Sequence, residues 1–565
     1  MTTAPSRAAH GSPARSAPGH AASPYTVLAI VLTATFVQLV DISIVNVAIP
    51  SIQRDLHASY AAVQLVIAGY QLAFAVVLIT AARLGDIHGR RRLFMIGMLG
   101  FTAMSALCGA APSSTVLVLA RIAQGAFSGL MFPQVLAVIQ VTFAPRDRGK
   151  AFAVYGATIG LATIMGPLLG GALIALNLFG MSWRLIFYVN LPIGVGALIA
   201  ARLRLGESRA PDAPRLDIPG AIMATAALFL LVYPLTEGRQ DGWPWWILLM
   251  LLCSAPVGVV FVLYERRRTA ERRSPLVHTT LFSEPAFRAG IILALVFFAG
   301  VAPFFFTLSL YLQIGYGYSA LHAGLTTFPF AVASGLAASL SDRASRRLGR
   351  NVLSVGCGLL CVSMIGTAIA VDRAGTDLRA WYLLPGFIVG GAGLGLFTAP
   401  MTNVILARIH SAQAGTASGV LSTVQQVGGA LGVAIIGVIL FGLLGGNADS
   451  AARSTLQSVD ATLRAQGLPP PAIAEVNRRF VTCFHDRATE NDPSVVPASC
   501  RPPTTGASPE VRSAVASGLA AAGQVALEHD FGRSFRDTLG YEVAVYAVAF
   551  GLVFLLPRDG EAARA

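Results

Sequence analysis

Charge is scarce in this chain of 565 residues, of which 12% are Asp, Glu, Lys or Arg and 55% are hydrophobic. A soluble domain carries about 25% charged residues, so the soluble class is excluded. Lysine is almost absent. Lys150 stands alone beside many arginines, a bias that points to a GC-rich bacterial genome. No glycine-rich phosphate loop, no metal-ligand cluster of convincing spacing and no nucleophile–base arrangement is present. Those absences argue against an enzyme, against a metal or other cofactor, and against work driven by ATP within this chain. A cleavable signal peptide is missing too. Its apolar stretch would span about 7–15 residues, whereas the run from Tyr25 to Pro50 is longer and reads as a retained first span.

What the chain has in quantity is apolar runs, about fourteen of them. A helix needs about 20 apolar residues to cross the hydrocarbon core. The expected spans are 25–50, 60–82, 93–112, 115–143, 151–175, 185–203, 216–236, 244–264, 287–312, 320–341, 351–371, 381–408, 413–444 and 535–556. Arginine crowds every second gap: Arg90 to Arg92; Arg146 and Arg148 with Lys150; Arg202, Arg204 and Arg209; Arg266 to Arg268; Arg343, Arg346, Arg347 and Arg350. The gaps between, such as 110–115 and 315–322, are poor in charge. Short basic loops stay cytoplasmic. This alternation makes the net charge of +13 a matter of topology, and no nucleic-acid partner is expected. The expectation is an all-α, multi-pass protein of the bacterial cytoplasmic membrane, with the lipid bilayer as its solvent and both termini cytoplasmic.

Two short segments resemble each other. Leu84-Gly85-Asp86 is followed by Gly89 and Arg90 to Arg92, and Ser341-Asp342-Arg343 by Arg346, Arg347, Gly349 and Arg350. Each falls at the cytoplasmic end of the second helix of a six-helix block, as in internally repeated transporters. The chain divides accordingly. Residues 1–24 are a disordered cytoplasmic tail, 25–205 an N-terminal six-helix bundle, 206–284 an inserted helix pair with its linker. Residues 285–556 form a C-terminal six-helix bundle, including an extracytoplasmic loop at 446–534, and 557–565 a cytoplasmic tail. The loop is polar and carries prolines at 469–471, 493, 497, 502 and 503. It also holds Cys483 and Cys500, while the other four cysteines lie inside apolar spans. Two thiols on an oxidising face are candidates for a disulfide.

Chemistry is expected where polarity intrudes into the spans. An aspartate inside a membrane helix is costly unless protonated or partnered, which makes Asp41 a functional candidate. Arg121 in the fourth span is its expected partner. Asp41 lies about 13 Å below Pro50, and Arg121 about 9 Å below its own outer end, within one turn of the same depth. Burial disfavours the charge of Asp41 and the arginine favours it, so a change of water access loads or releases a proton. Asp86, Gly89, Arg90 and Asp342 are expected to form a cytoplasmic gate. In the fifth span, Gly166, Pro167, Gly170 and Gly171 combine close packing with a kink, suited to a pivot or seal between the halves. Gln38, Asn46, Gln124, Phe305 and Tyr311 are expected to line a substrate cavity. Asp41 is nearly the only acid well inside a span, since Glu237, Asp342 and Asp537 lie near ends.

These segments resemble the major facilitator superfamily, and within it the fourteen-span drug:proton antiporters. Val40-Asp41-Ile-Ser-Ile-Val-Asn46-Val-Ala-Ile-Pro50 is similar to that group's first-span motif. Leu84 to Arg92 is similar to the loop motif after the second helix, with Ala82 where glycine is usual. Arg121-Ile-Ala-Gln124-Gly125 resembles the fourth-helix motif, and Gly166-Pro167-Leu-Leu-Gly170-Gly171 the fifth-helix motif of exporters. Trp183 to Gly194 looks like the group's entry to the sixth span.

The resemblance implies two six-helix bundles plus an inserted pair, working as a monomer by alternating access. It implies export of small hydrophobic or monocationic drugs or antibiotics, with the proton as coupling ion. Two rivals stand beside this expectation. One is an exporter of an endogenous metabolite or lipid. The other is a non-transporting membrane scaffold or receptor, which the intact set of Asp41, Arg121, Gly166 and Pro167 argues against.

Overall fold

Backbone amides in lipid find partners only inside a helix or a closed barrel, and the computed structural model has helices at the apolar runs, with no strand among the described residues. It describes residues 23–557 except 145–146, 210–216, 239–241, 272, 274, 277–278, 407–408, 410–413, 491–495 and 501–508. The proposed tails at 1–24 and 557–565 therefore fall almost wholly outside the described residues.

The first bundle comprises α1 (Pro24–Leu56), α2 (Tyr60–His88), α3 (Arg90–Gly109), α4 (Ser114–Thr142), α5 (Arg148–Leu176) and a broken sixth span, α6 (Leu185–Tyr188) with α7 (Asn190–Arg204). The inserted pair is α8 (Ile218–Glu237) and α9 (Trp245–Ala270). Then follow α10 (Pro285–Leu310), α11 (Ala320–Leu348), α12 (Asn351–Ala374), α13 (Ala380–Leu406), α14 (Ala414–Ser454), α15 (Leu456–Ala465), α16 (Pro470–Thr489) and α17 (Pro509–Val553). The second bundle is built by α10 to α14 and α17. The inserted pair packs on itself and, through α8, on α2 and α14. Leu252, Val259, Val260 and Leu263 of α9 are left exposed, as a lipid-facing helix requires.

Twelve of the described helices are individually long and apolar enough to cross a membrane. The two others needed for fourteen spans are α5 and α17. Alpha-helix α5 packs between α1 and α11, and the apolar run of α17 is broken by Arg536, Asp537 and Glu542.

The two bundles meet on the side away from the arginine-rich turns. Ser309 donates to the Asn46 carbonyl (2.5 Å) and Gln313 to the Val47 carbonyl (2.9 Å), joining α10 and the turn that follows it to α1. Tyr60 of α2 packs on Phe441 of α14, with ring centres 4.1 Å apart. On the arginine-rich side, Asp342 is largely exposed and pairs with Arg346 of its own helix at 2.7 Å. Asp86 pairs with Arg90 at 2.9 Å in the same i,i+4 manner, so the two repeated turns are alike in geometry as well as in sequence.

The region expected as a loop at 446–534 is mostly helical, which corrects that reading. Helix α14 continues ten residues past the predicted end at 444, and α17 begins 26 residues before 535. With α15 and α16 they enclose a small apolar core of Val459, Leu463, Ile473, Phe480 and Ala526. The prolines taken as loop signals start a helix instead, since Pro469 caps α16 and Pro470 opens it.

Cys483 and Cys500 are joined by a disulfide in this cap. Their separation of 17 residues predicts that the bond stabilises the cap. By loop-closure entropy a loop of that size is worth about 3 kcal/mol. Reduction, or Cys483→Ser, is expected to speed proteolysis within 483–500 while the helices in the membrane stay protected. Unchanged cleavage would refute the stabilising role.

Candidate functional site

The centre of the first bundle holds a fully enclosed polar cluster. Asp41 on α1 is 0% and Arg121 on α4 is 1% exposed, so neither charge has water to solvate it. The Arg121 guanidinium donates to Asp41 Oδ2 at 2.5 Å, to Gln124 Oε1 at 2.8 Å and to the Val66 carbonyl at 3.2 Å. It also lies 4.2 Å above the Tyr70 ring, an orientation that favours a cation. The other carboxylate oxygen of Asp41 accepts from Gln124 Nε2 (3.1 Å) and from Asn190 Nδ2 (3.0 Å). Asn190 donates in turn to Ser105 (3.0 Å), which donates to the Phe187 carbonyl (2.9 Å). Five elements thus converge on one carboxylate and one guanidinium: α1, α2, α3, α4 and the start of α7.

Asp41 and Arg121 fall together as expected, and Gln124 belongs to the pair itself. Gln38 and Asn46 lie on the same helix as Asp41. Gln38 is 1% exposed with both amide atoms unpartnered, and the Asn46 side-chain oxygen is likewise unpartnered. An unpartnered amide is what a polar substrate group or a water would satisfy. Phe305 is half-buried against Phe304 and Phe330. Tyr311 is fully buried and stacked on Phe535, inside the second bundle.

The small residues of α5 serve two faces at once. Gly166 and Gly170 lie against Ser43 and Ile44 of α1, and Gly171 against the backbone of Ala320 and Leu321 on α11. The Pro167 carbonyl faces Gly324 of α11. One motif therefore packs its own bundle and touches the other. The turn after α2 is anchored differently from a latch between bundles. Glu207, beyond α7, accepts from the backbone amides of Arg91 (3.1 Å) and Arg92 (3.2 Å) next to Gly89. Those contacts stay within the first bundle.

Sequence reasoning missed two groups. Asn190 carries no charge and was seen only as part of a motif, although it completes the shell of Asp41. Glu542 in α17 is 1% exposed, and neither of its carboxylate oxygens has a hydrogen-bond partner. It overturns the statement that Asp41 is nearly the only acid well inside a span. The rule that singled out Asp41 would have found it, seven residues into the expected span 535–556.

Above it, Asp530 lies in the cap-side part of α17 and is also 1% exposed. Burial pushes its carboxyl up to about 8, against smaller opposing effects of Ser534 and Arg533. The folded state then binds a proton that the unfolded chain has released, so stability falls as pH rises between about 4 and about 8. Thermal midpoints of the purified protein across that window should decline less in Asp530→Asn. Equal slopes would refute the assignment.

The sequence profile of the Major Facilitator Superfamily matches residues 31–433. The chain is 36% identical over 534 residues to a probable actinorhodin transporter of Streptomyces coelicolor, covering 94% of this chain and 92% of that protein. It is 34% identical to the tetracenomycin C resistance and export protein of Streptomyces glaucescens, over 74% and 76% of the two chains. It is 32% identical to the multidrug resistance protein Stp of Mycobacterium tuberculosis, over 72% and 74%. The fold is shared with a bacterial homologue of the human lysosomal transporter Spinster, solved in an inward-facing, unoccupied conformation. The TM-score is 0.58 at 15% identity, over 94% of this chain and 97% of that one. Motifs, helix packing and sequence kinship agree: this chain is a multi-pass membrane transporter and belongs to the Major Facilitator Superfamily.

Proposed function

We propose that the protein exports small amphiphilic, neutral or monocationic compounds of the antibiotic class in exchange for protons. The observation that carries this reading is the enclosed pair of Asp41 and Arg121. A carboxylate held by one cation and two amides is neutral as a pair while shut. When the site opens to water, a proton can replace the arginine as the partner of Asp41. The relatives named for antibiotic export and resistance support the direction and the substrate class. Asp41 has no free carboxylate oxygen, which disfavours dications. Comparable efflux of a dication and its monocationic analogue would contradict that part.

The test is ethidium efflux from energised cells, wild type against Asp41→Asn. Efflux that fails with a protonophore and fails in the variant supports the proposal. Efflux unaffected by Asp41→Asn removes Asp41 from the coupling. No wild-type efflux, in protein shown to reach the membrane, favours a second reading: a narrow exporter of one endogenous metabolite. The relative that spans nearly the whole chain, named for a single compound, points the same way.

A further inference from the structure

One face of α17 carries a row of enclosed polar side chains at four-residue spacing: Asp530, Ser534, Thr538 and Glu542, each 1% exposed or less, followed by Tyr546 at 2%. Residues four apart on a helix are neighbours, about 6 Å along the axis. The row therefore descends about 18 Å, from the foot of the cap to the interior of the second bundle. Its upper end is hydrogen-bonded. Ser534 donates to Asp530 (3.4 Å) and accepts from Asn447 of α14 (3.2 Å).

Its lower end is bare. Glu542 faces α10 at Gly300, where a Cβ would come within 2.7 Å of its Oε2. Around it stand Tyr541, which donates to the Ala299 carbonyl (3.0 Å), and Tyr546, which packs on Phe297 and has the thiols of Cys357 and Cys361 on α12 near it. The nearest cations on the helix are engaged elsewhere, Arg533 with Ser450 and Arg536 with Asp372 and Asp537. An ionised carboxylate with no donor in such surroundings is prohibitively costly, and the neutral acid is the form the site tolerates.

We propose that Glu542 is a second proton-binding site, in the C-terminal bundle, filled and emptied from the cap side along the row of Asp530, Ser534 and Thr538. A proton arriving by way of water or a hydroxyl forms the O–H bond of the Glu542 acid, and the same bond breaks when the proton returns. The site is placed to bias transport, because α10, which leaves room for Glu542 at Gly300, also carries Ser309, and in the turn after it Gln313, to the other bundle. Only that last use rests on the exporter reading.

The experiment is infrared difference spectroscopy of the full-length protein in liposomes, without substrate. With Asp530→Asn as the background, so that the other buried acid is silent, a carboxylic-acid C=O band is expected at neutral pH, kept when Asp41→Asn is added and lost when the isosteric Glu542→Gln is added. It should shrink reversibly as pH rises. Its shift on transfer to deuterated buffer should slow by about an order of magnitude in Thr538→Val, which keeps the shape and removes one hydrogen-bonding group. A band that survives Glu542→Gln, or one that titrates at no pH where the protein is folded, overturns the proton site. An unchanged deuteration rate in Thr538→Val overturns the route. Because no transport is read, failure of export leaves these results standing.

Discussion

Asp41→Asn should destabilise the first bundle as well as stop proton-driven export. Arg121 is 1% exposed, and without Asp41 its remaining hydrogen-bond partners, Gln124 and the Val66 carbonyl, carry no charge. Removing one member of a buried pair costs about 3–5 kcal/mol, because the other charge stays behind without compensation. Arg121→Gln should cost a similar amount for the converse reason. The double variant removes both charges and should be more stable than the sum of the single losses predicts, by about 0.5–3 kcal/mol. Thermal midpoints in detergent for the four proteins measure the cycle, and efflux should be absent in all three variants. Additive losses would mean that the two groups act independently, and the pair would no longer explain the coupling.

Gly171→Val should drive the two bundles apart on the cap side. A Cβ at Gly171 would sit 2.7 Å from the Leu321 Cα and 2.8 Å from the Ala320 oxygen. Both are backbone atoms, which no rotamer change can move. Overpacking of this kind costs about 1–3 kcal/mol. Placed on one of two states, it raises the population of the other by about 5- to 150-fold. The readout is the rate at which an impermeant maleimide labels Ser309→Cys from the cap side. Gly196→Val, where nothing lies within 4 Å, is the control. Equal labelling in the two variants would show that the contact of α5 with α11 does not hold the seam.

The parts of this protein that were legible in its sequence are those where one number decides. Helix rise sets depth, so counting from the helix ends placed Asp41 and Arg121 at one height, and the structure has them 2.5 Å apart. What was not legible depends on rotation about helix axes and on partners far apart in the chain. Asn190 reaches Asp41 across 149 positions, and no local pattern announces an uncharged amide. Glu542, seven residues into the expected span 535–556, was open to the same depth argument as Asp41, but which way it faces depends on the rotation of α17. The cap was hidden by composition. Its helices are short and polar outside, and Pro469 and Pro470, read as breakers, stand at the one end of a helix that tolerates them.

The length of α14 has a mechanical consequence. Its 41 residues make a rod of about 60 Å, twice the thickness of the hydrocarbon core. The lower part lies along α2 of the opposite bundle, and the upper part holds α16 of the cap. A rod pinned at one end by such a seam magnifies rotation. A tilt of about 10° swings a point 25 Å further along by about 4 Å. The disulfide-tied cap is thus a pointer whose deflection reads out the angle between the bundles, and a binding protein that clamps it would hold the whole machine at one setting of the dial.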